Sequence, residues 1–97
     1  MSHQRKCVDL VEYAKHGMIE KMIELINDGI NVNEFDDNGD CAVIWAAQRN
    51  DLEMLRMLIK AGANLRVVNA SGVSPLGFAY INQSSDMINY ISEHLYD

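Results

Sequence analysis

Two pairs of glycines share one spacing. Gly29 and Gly62 lie 33 residues apart, and so do Gly39 and Gly72. Their neighbours repeat with them. Gly29-Ile30-Asn31-Val32 sets against Gly62-Ala63-Asn64-Leu65, and Asp36-Asp37-Asn38-Gly39 against Asn69-Ala70-Ser71-Gly72. A fixed period of this size marks a stack of short supersecondary units, none of which buries its apolar face alone. Such stacks present a surface rather than enclose a reaction site.

Laid out at that offset, each unit shows two apolar patterns of helical period. Val43, Ala46 and Ala47 fall on one helix face at i, i+3, i+4, and Leu52, Leu55, Leu58 and Ile59 do the same in the next helix. Leu10, Tyr13 and Ala14 open the matching pair before them, and Leu76, Ala79 and Tyr80 the pair after. Gly29 and Gly62 follow the last apolar residues of their helices, where a left-handed residue satisfies the final carbonyls. Gly39 and Gly72 sit in polar loop tips that require tight turns. Ser74-Pro75 reads as a helix start, with a capping hydroxyl before a proline at the first helical position. The expectation is an all-α chain of helix-turn-helix units joined by hairpin-like loops.

These features resemble the ankyrin repeat, a unit of about 33 residues with a turn, two antiparallel helices and a T-P-L-H-x-A signature. Ser74-Pro75-Leu76-Gly77-Phe78-Ala79 matches that signature in part, and Cys41-Ala42-Val43-Ile44-Trp45-Ala46-Ala47 matches it by pattern. Gly62-Ala63-Asn64-Leu65 is similar to the family's G-A-D-V tail. The resemblance covers about residues 6–97 and implies an ankyrin-repeat solenoid. Residues 1–97 are expected to form a single domain with units at about 5–35, 36–68 and 69–97, and none remain for a second domain. The signature His is replaced by Ile44 and Gly77, so the family's Thr–His hydrogen-bond network is expected to be absent or weakened. The first unit carries Val8-Asp9-Leu10-Val11 where the signature would stand, as befits an N-terminal cap.

Hydrophobic residues make up 48% of the 97 residues, enough for a core, and the net charge is −6. No apolar run approaches the ~20 residues of a membrane span. The start, Met1-Ser2-His3-Gln4-Arg5-Lys6, leads into a charged stretch rather than an apolar signal core. A cytoplasmic protein is the expectation. Every Lys and Arg lies at or before Arg66, whereas Glu34, Asp36, Asp37 and Asp40 form an acidic run without a base. Nucleic acid and anionic membrane are poor partners for such a surface. Either the acids keep a small protein soluble, or they steer a basic protein toward it.

No catalytic constellation stands out. His3, His16 and His94 are scattered, no H-E-x-x-H motif occurs, and no Gly-rich phosphate loop is present. Cys7 and Cys41 form neither a disulfide scaffold nor a zinc site. Cys41 is expected inside as a small buried residue, and Cys7, after Arg5 and Lys6, in a capping helix. No cofactor, no metal and no enzymatic activity are expected.

Val43, Ala46 and Ala47 face inward, leaving Trp45, Gln48 and Arg49 on another face. One repeat later the same positions hold Phe78, Ile81 and Asn82, and one repeat earlier Glu12, Lys15 and His16. The ankyrin resemblance implies that this face and the loop tips form a concave binding side. The candidate partner-binding residues are therefore Trp45, Gln48, Arg49, Phe78, Ile81 and Asn82 on the helices. On the tips they are Phe35, Asp36, Asp37, Asn38, Asp40 and Val68. Trp and Arg are enriched at binding hot spots. Trp45 and Phe78 can equally pack on each other between repeats, and both readings stay open. Tyr80, where a repeat takes a small Ala, is expected to fill space at the C-terminal end.

A non-catalytic protein-binding module is therefore expected, an inhibitor, an immunity-type antagonist or an adaptor with a basic protein partner. The alternative is a structural subunit that self-associates through its C-terminal helix, expected from Ser85 to about Tyr96. Met87, Ile88, Tyr90, Ile91, Leu95 and Tyr96 make its apolar side wide. That side is either ordinary core or a self-association patch, so the chain is a monomer or a weak homodimer.

Overall fold

A computed structural model describes residues 3–95, with side chains from residue 9 onward. Among the described residues six helices succeed one another: α1 (His3–Lys15), α2 (Ile19–Asn27), α3 (Ala42–Gln48), α4 (Leu52–Lys60), α5 (Pro75–Ile81) and α6 (Ser85–His94). No strand occurs among the described residues. Consecutive helices pair as α1·α2, α3·α4 and α5·α6, and α3 packs between α1 and α5. The odd-numbered helices thus form one layer and the even-numbered helices a second layer behind it. The stack measures 40 × 25 × 24 Å.

Local chemistry explains where the helices start. Ser74 Oγ accepts the N–H of Gly77 at 3.1 Å, with Pro75 at the first helical position of α5. Asp51 caps α4 by accepting from the Met54 N–H at 3.1 Å, and Ser84 caps α6 by accepting from the Met87 N–H at 3.4 Å. Cys41, the equivalent of Ser74, makes no side-chain cap on α3. It is fully buried, as expected, and burial pushes its thiol pKa up. Cys7 lies outside the residues whose side chains are described. A Cβ on Gly77 would meet Val73 Cγ1 at 3.0 Å, so a larger residue inside the first turn of α5 would require the Val73 side chain to shift.

Gly29 and Gly62 end their helices as the sequence requires. With φ of 90° and 97°, each lets the next residue donate back to the last turn. Ile30 N–H reaches the Leu25 carbonyl at 3.3 Å and Ala63 N–H the Leu58 carbonyl at 2.9 Å. Asn50 and Gln83, at φ of 57° and 55°, do this after α3 and α5.

The two long loops are built alike. Asp36 Oδ1 accepts the N–H groups of Asn38 at 2.9 Å and Asp40 at 3.0 Å, while Asp36 N–H donates to the Asp40 carbonyl at 2.8 Å. Asn69 repeats the arrangement, accepting from Ser71 and Val73 at 2.9 Å each and donating to the Val73 carbonyl at 3.0 Å. The side-chain oxygen that Asp and Asn share builds the turn, so the charge on Asp36 is not needed for it. Asn33 ties one loop to the next: its Nδ2 donates to the Gly62 carbonyl at 3.1 Å, and its Oδ1 accepts the Asn64 N–H at 2.6 Å.

The core runs the length of the stack. Leu10, Met22, Met54, Leu58, Met87 and Ile91 are fully buried or nearly so, each contributing about 1.5–3 kcal/mol of apolar burial. In α3, Ala42, Val43, Ile44, Ala46 and Ala47 are all buried, because helices flank it on both sides. Tyr80 corrects the expectation that it fills space, for it is 60% exposed. Its equivalents Ala14 and Ala47 are fully buried, since α3 packs beyond α1 and α5 beyond α3. Among the described residues no helix packs beyond α5 in that layer, so the same position faces solvent. The C-terminal helix ends at His94, and Tyr96 lies outside the described residues. Met87 and Ile91 belong to the core, while Asp86, Asn89, Ser92 and Glu93 are exposed.

Candidate protein-binding surface

The hairpin preceding α3 places Phe35, Asp37 and Asn38 in solvent, with Asp36, Gly39 and Asp40 partly covered. Phe35 is 44% exposed, and Val68, its equivalent on the next hairpin, is 49% exposed. Two apolar side chains therefore stand in register, one on each tip. Asp37 and Asn38 use no side-chain atom in the turn, since Asp36 supplies both acceptor bonds.

Asp40 is the electrostatically strained acid of the tip. Burial raises its pKa above 3.8, and Asp36 nearby adds to the rise; Lys15 and the Trp45 indole N–H oppose it. Trp45 stands at the centre of this group. Its ring is half-buried against the core, and the Lys15 ammonium lies 5.6 Å from its centroid. The indole N–H points close enough to Asp40 to favour the carboxylate, yet it is buried and completes no hydrogen bond within 3.5 Å. Trp45 and Phe78 both pack on the core at partial exposure, so each combines a structural contact with an accessible edge.

Arg49 and Asn82 have structural roles that their sequence did not disclose. Arg49 Nη1 donates to the Lys15 carbonyl at 3.1 Å, and Asn82 Nδ2 to the Ala47 carbonyl at 3.0 Å. Each stitches the end of its helix to the end of the preceding odd-numbered helix, satisfying a terminal carbonyl there. Between these stitches Gln48 and Ile81 remain exposed, Ile81 at 65%. Tyr80 adjoins Ile81, and sequence reasoning missed it as a surface residue. Its signal was present as an aromatic at a position that is Ala in the two preceding units.

At the first-repeat end of this face, His16 Nε2 and Glu12 Oε2 lie 3.1 Å apart; outside it, His94 Nδ1 contacts the Tyr90 carbonyl at 2.9 Å. An open depression of about 560 Å³ between the ends of α4 and α6 is lined by Asn64, Arg66, His94 and Leu95 among others. Among the described residues no three His, Cys, Asp or Glu side chains converge as a metal site, and no helix is long and apolar enough to cross a membrane.

Comparison with known proteins agrees with the architecture. The family model for ankyrin repeats (3 copies) matches residues 10–97. Notch-regulated ankyrin repeat-containing protein A of Danio rerio is 30% identical over 76 residues, which is 78% of this chain and 65% of that relative. The Homo sapiens Notch-regulated ankyrin repeat-containing protein is 31% identical over 67 residues, 69% of this chain and 59% of its own length. A putative ankyrin repeat protein of Rickettsia bellii is 31% identical over 65 residues, 67% of this chain and 39% of its own length. The chain thus spans less than two thirds of the relatives it matches. Ankyrin repeats are generally modules of protein–protein interaction and are typically non-catalytic. Stacked helix pairs, hairpins repeated at 33 residues and a matching family model over residues 10–97 agree on one assignment: the chain belongs to the ankyrin-repeat family.

Proposed function

We propose that this chain binds a basic protein through the face of α1, α3 and α5 together with the two hairpin tips, and acts by that binding as an inhibitor, an antagonist or an adaptor. The observation that carries the reading is the pair Phe35 and Val68, exposed in register on the tips beside Asp37 and Asp40. Large apolar side chains held in solvent by rigid turns contribute little to the fold, and they supply the apolar centre that an interface needs. The acids around Phe35 favour a cationic partner and speed its approach. Cytoplasmic location and a single domain with units at about 5–35, 36–68 and 69–97 belong to the same proposal.

The test uses residues whose loss spares the core. The wild-type chain and a Phe35→Ser/Asp37→Lys variant serve as baits in extracts of the native source, with helical content checked by circular dichroism. A stoichiometric basic protein retained by the wild type and lost by the folded variant supports the reading. Equal retention by both overturns it. Self-association through the C-terminal helix has weaker support, because α6 directs Met87 and Ile91 into the core and polar side chains outward.

A further inference from the structure

The proposed face is not uniform along the stack. Positions 15, 48 and 81 are equivalent, and they hold Lys15, Gln48 and Ile81, all exposed. Ile81 and its neighbour Tyr80, at 65% and 60%, are the most exposed large hydrophobic side chains described. The acids lie elsewhere. Asp37 and Asp40 sit on the first hairpin, whereas its counterpart carries Ala70 and Val73. Among the described residues the third helix pair thus carries an apolar edge of the face, and the hairpin of the second an acidic one.

The two edges are diagonally opposed. The acidic hairpin precedes α3, while Ile81 closes α5, one helix further along the layer and at the far end of that helix. A seven-residue helix is about 10 Å long, and neighbouring helices lie about 8–10 Å apart. The edges are then separated by roughly 15 Å or somewhat more, within reach of one peptide segment.

Resting on the binding reading above, we infer that the partner engages through a polarised segment in a fixed orientation. Its Lys or Arg side chains face Asp37 and Asp40, and its bulky apolar side chains cover Ile81 and Tyr80. Charge complementarity sets one end. Continuity of Ile81 with the Gln48–Trp45 face sets the other, since a segment lying on that face meets Ile81 without leaving it. The opposite orientation would place cations against the aliphatic Ile81 and leave the acids facing an apolar group, each an unfavourable desolvation.

The experiment pans a phage-displayed library of random 16-residue peptides against the full chain, against Ile81→Ser/Tyr80→Ser and against Asp37→Lys. The expected result is enriched peptides with basic and bulky apolar residues segregated, in one order throughout. Those peptides should bind the Ile81→Ser/Tyr80→Ser and Asp37→Lys proteins at least 10-fold more weakly in Trp45 fluorescence titrations. Enriched peptides that need Phe35 but show no segregation overturn the orientation and leave the binding face standing. No enrichment, or peptides indifferent to Phe35→Ser, overturns both. A dimer in equilibrium sedimentation that Ile81→Ser dissolves assigns the apolar edge to a second copy, and this also overturns the proposal.

Discussion

The ammonium of Lys15 lies 5.6 Å from the centroid of the Trp45 ring, joining the first helix pair to the second across the proposed binding face. The Arg49 guanidinium holds the carbonyl of the same Lys15, so backbone and side chain of one residue are both engaged from α3 and its end. Lys15 therefore screens Asp40 and supports Trp45 at once. Its replacement by Met keeps the stem and removes the charge. The expected loss is about 0.5–1 kcal/mol for a cation over a partly exposed indole face, read from urea unfolding, with a change in Trp45 emission. An unchanged midpoint and spectrum would show that the contact is incidental.

Asp40 gives a pH prediction whose sign is set by its environment. Burial, reinforced by Asp36, raises its folded pKa above the ordinary 3.8, so the fold disfavours the charged form. Asp40 consequently subtracts from stability above its folded pKa, and the penalty fades as pH falls through that value toward 3.8. Asp40→Asn should be more stable than wild type at pH 7, with the difference shrinking in acid. Denaturant midpoints at pH 7 and pH 4 decide it. A gap that is constant or grows in acid contradicts this reading of Asp40.

Asp36 separates structure from charge. Its side-chain oxygen makes the two turn bonds that Asn69 makes one repeat later. Asp36→Asn should therefore unfold within about 0.5 kcal/mol of wild type, as an isosteric change that keeps both acceptor bonds. Asp36→Ala leaves two N–H groups without their partner and should cost about 1–2 kcal/mol. Equal midpoints for the two variants would refute the role of the side chain.

Ser74 caps α5, and its removal tests whether the third helix pair depends on local signals. Ser74→Ala is expected to cost about 1 kcal/mol, which for a chain of this size lowers the thermal midpoint by roughly 4–8 °C. A change under about 1 °C in differential scanning calorimetry would mean that packing alone holds α5.

Much of the architecture was legible because a repeat writes its rules twice. Gly29 and Gly62 disclosed helix ends, Gly39 and Gly72 the turns, and Ser74-Pro75 a start, since each depends on a few adjacent residues. Cys41 was readable as buried from its place in the pattern. Tyr80 was not, because its exposure depends on whether another helix packs beyond α5 rather than on the spacing within α5. Arg49 and Asn82 were visible as exposed polar residues, but their acceptors lie 34 and 35 residues earlier. Local periodicity carries no trace of such stitches. The same holds for the Lys15–Trp45–Asp40 group, which draws on three segments.

Hydrogen exchange of the purified chain, free and in complex with the protein retained by the wild-type bait, tests the binding face most directly. Slowed exchange is predicted in both hairpins, residues 35–40 and 68–73, and at the ends of α3 and α5, with α2, α4 and α6 unchanged. Protection confined to α2, α4 and α6, with both hairpins exchanging as in the free chain, would contradict the assignment of the face.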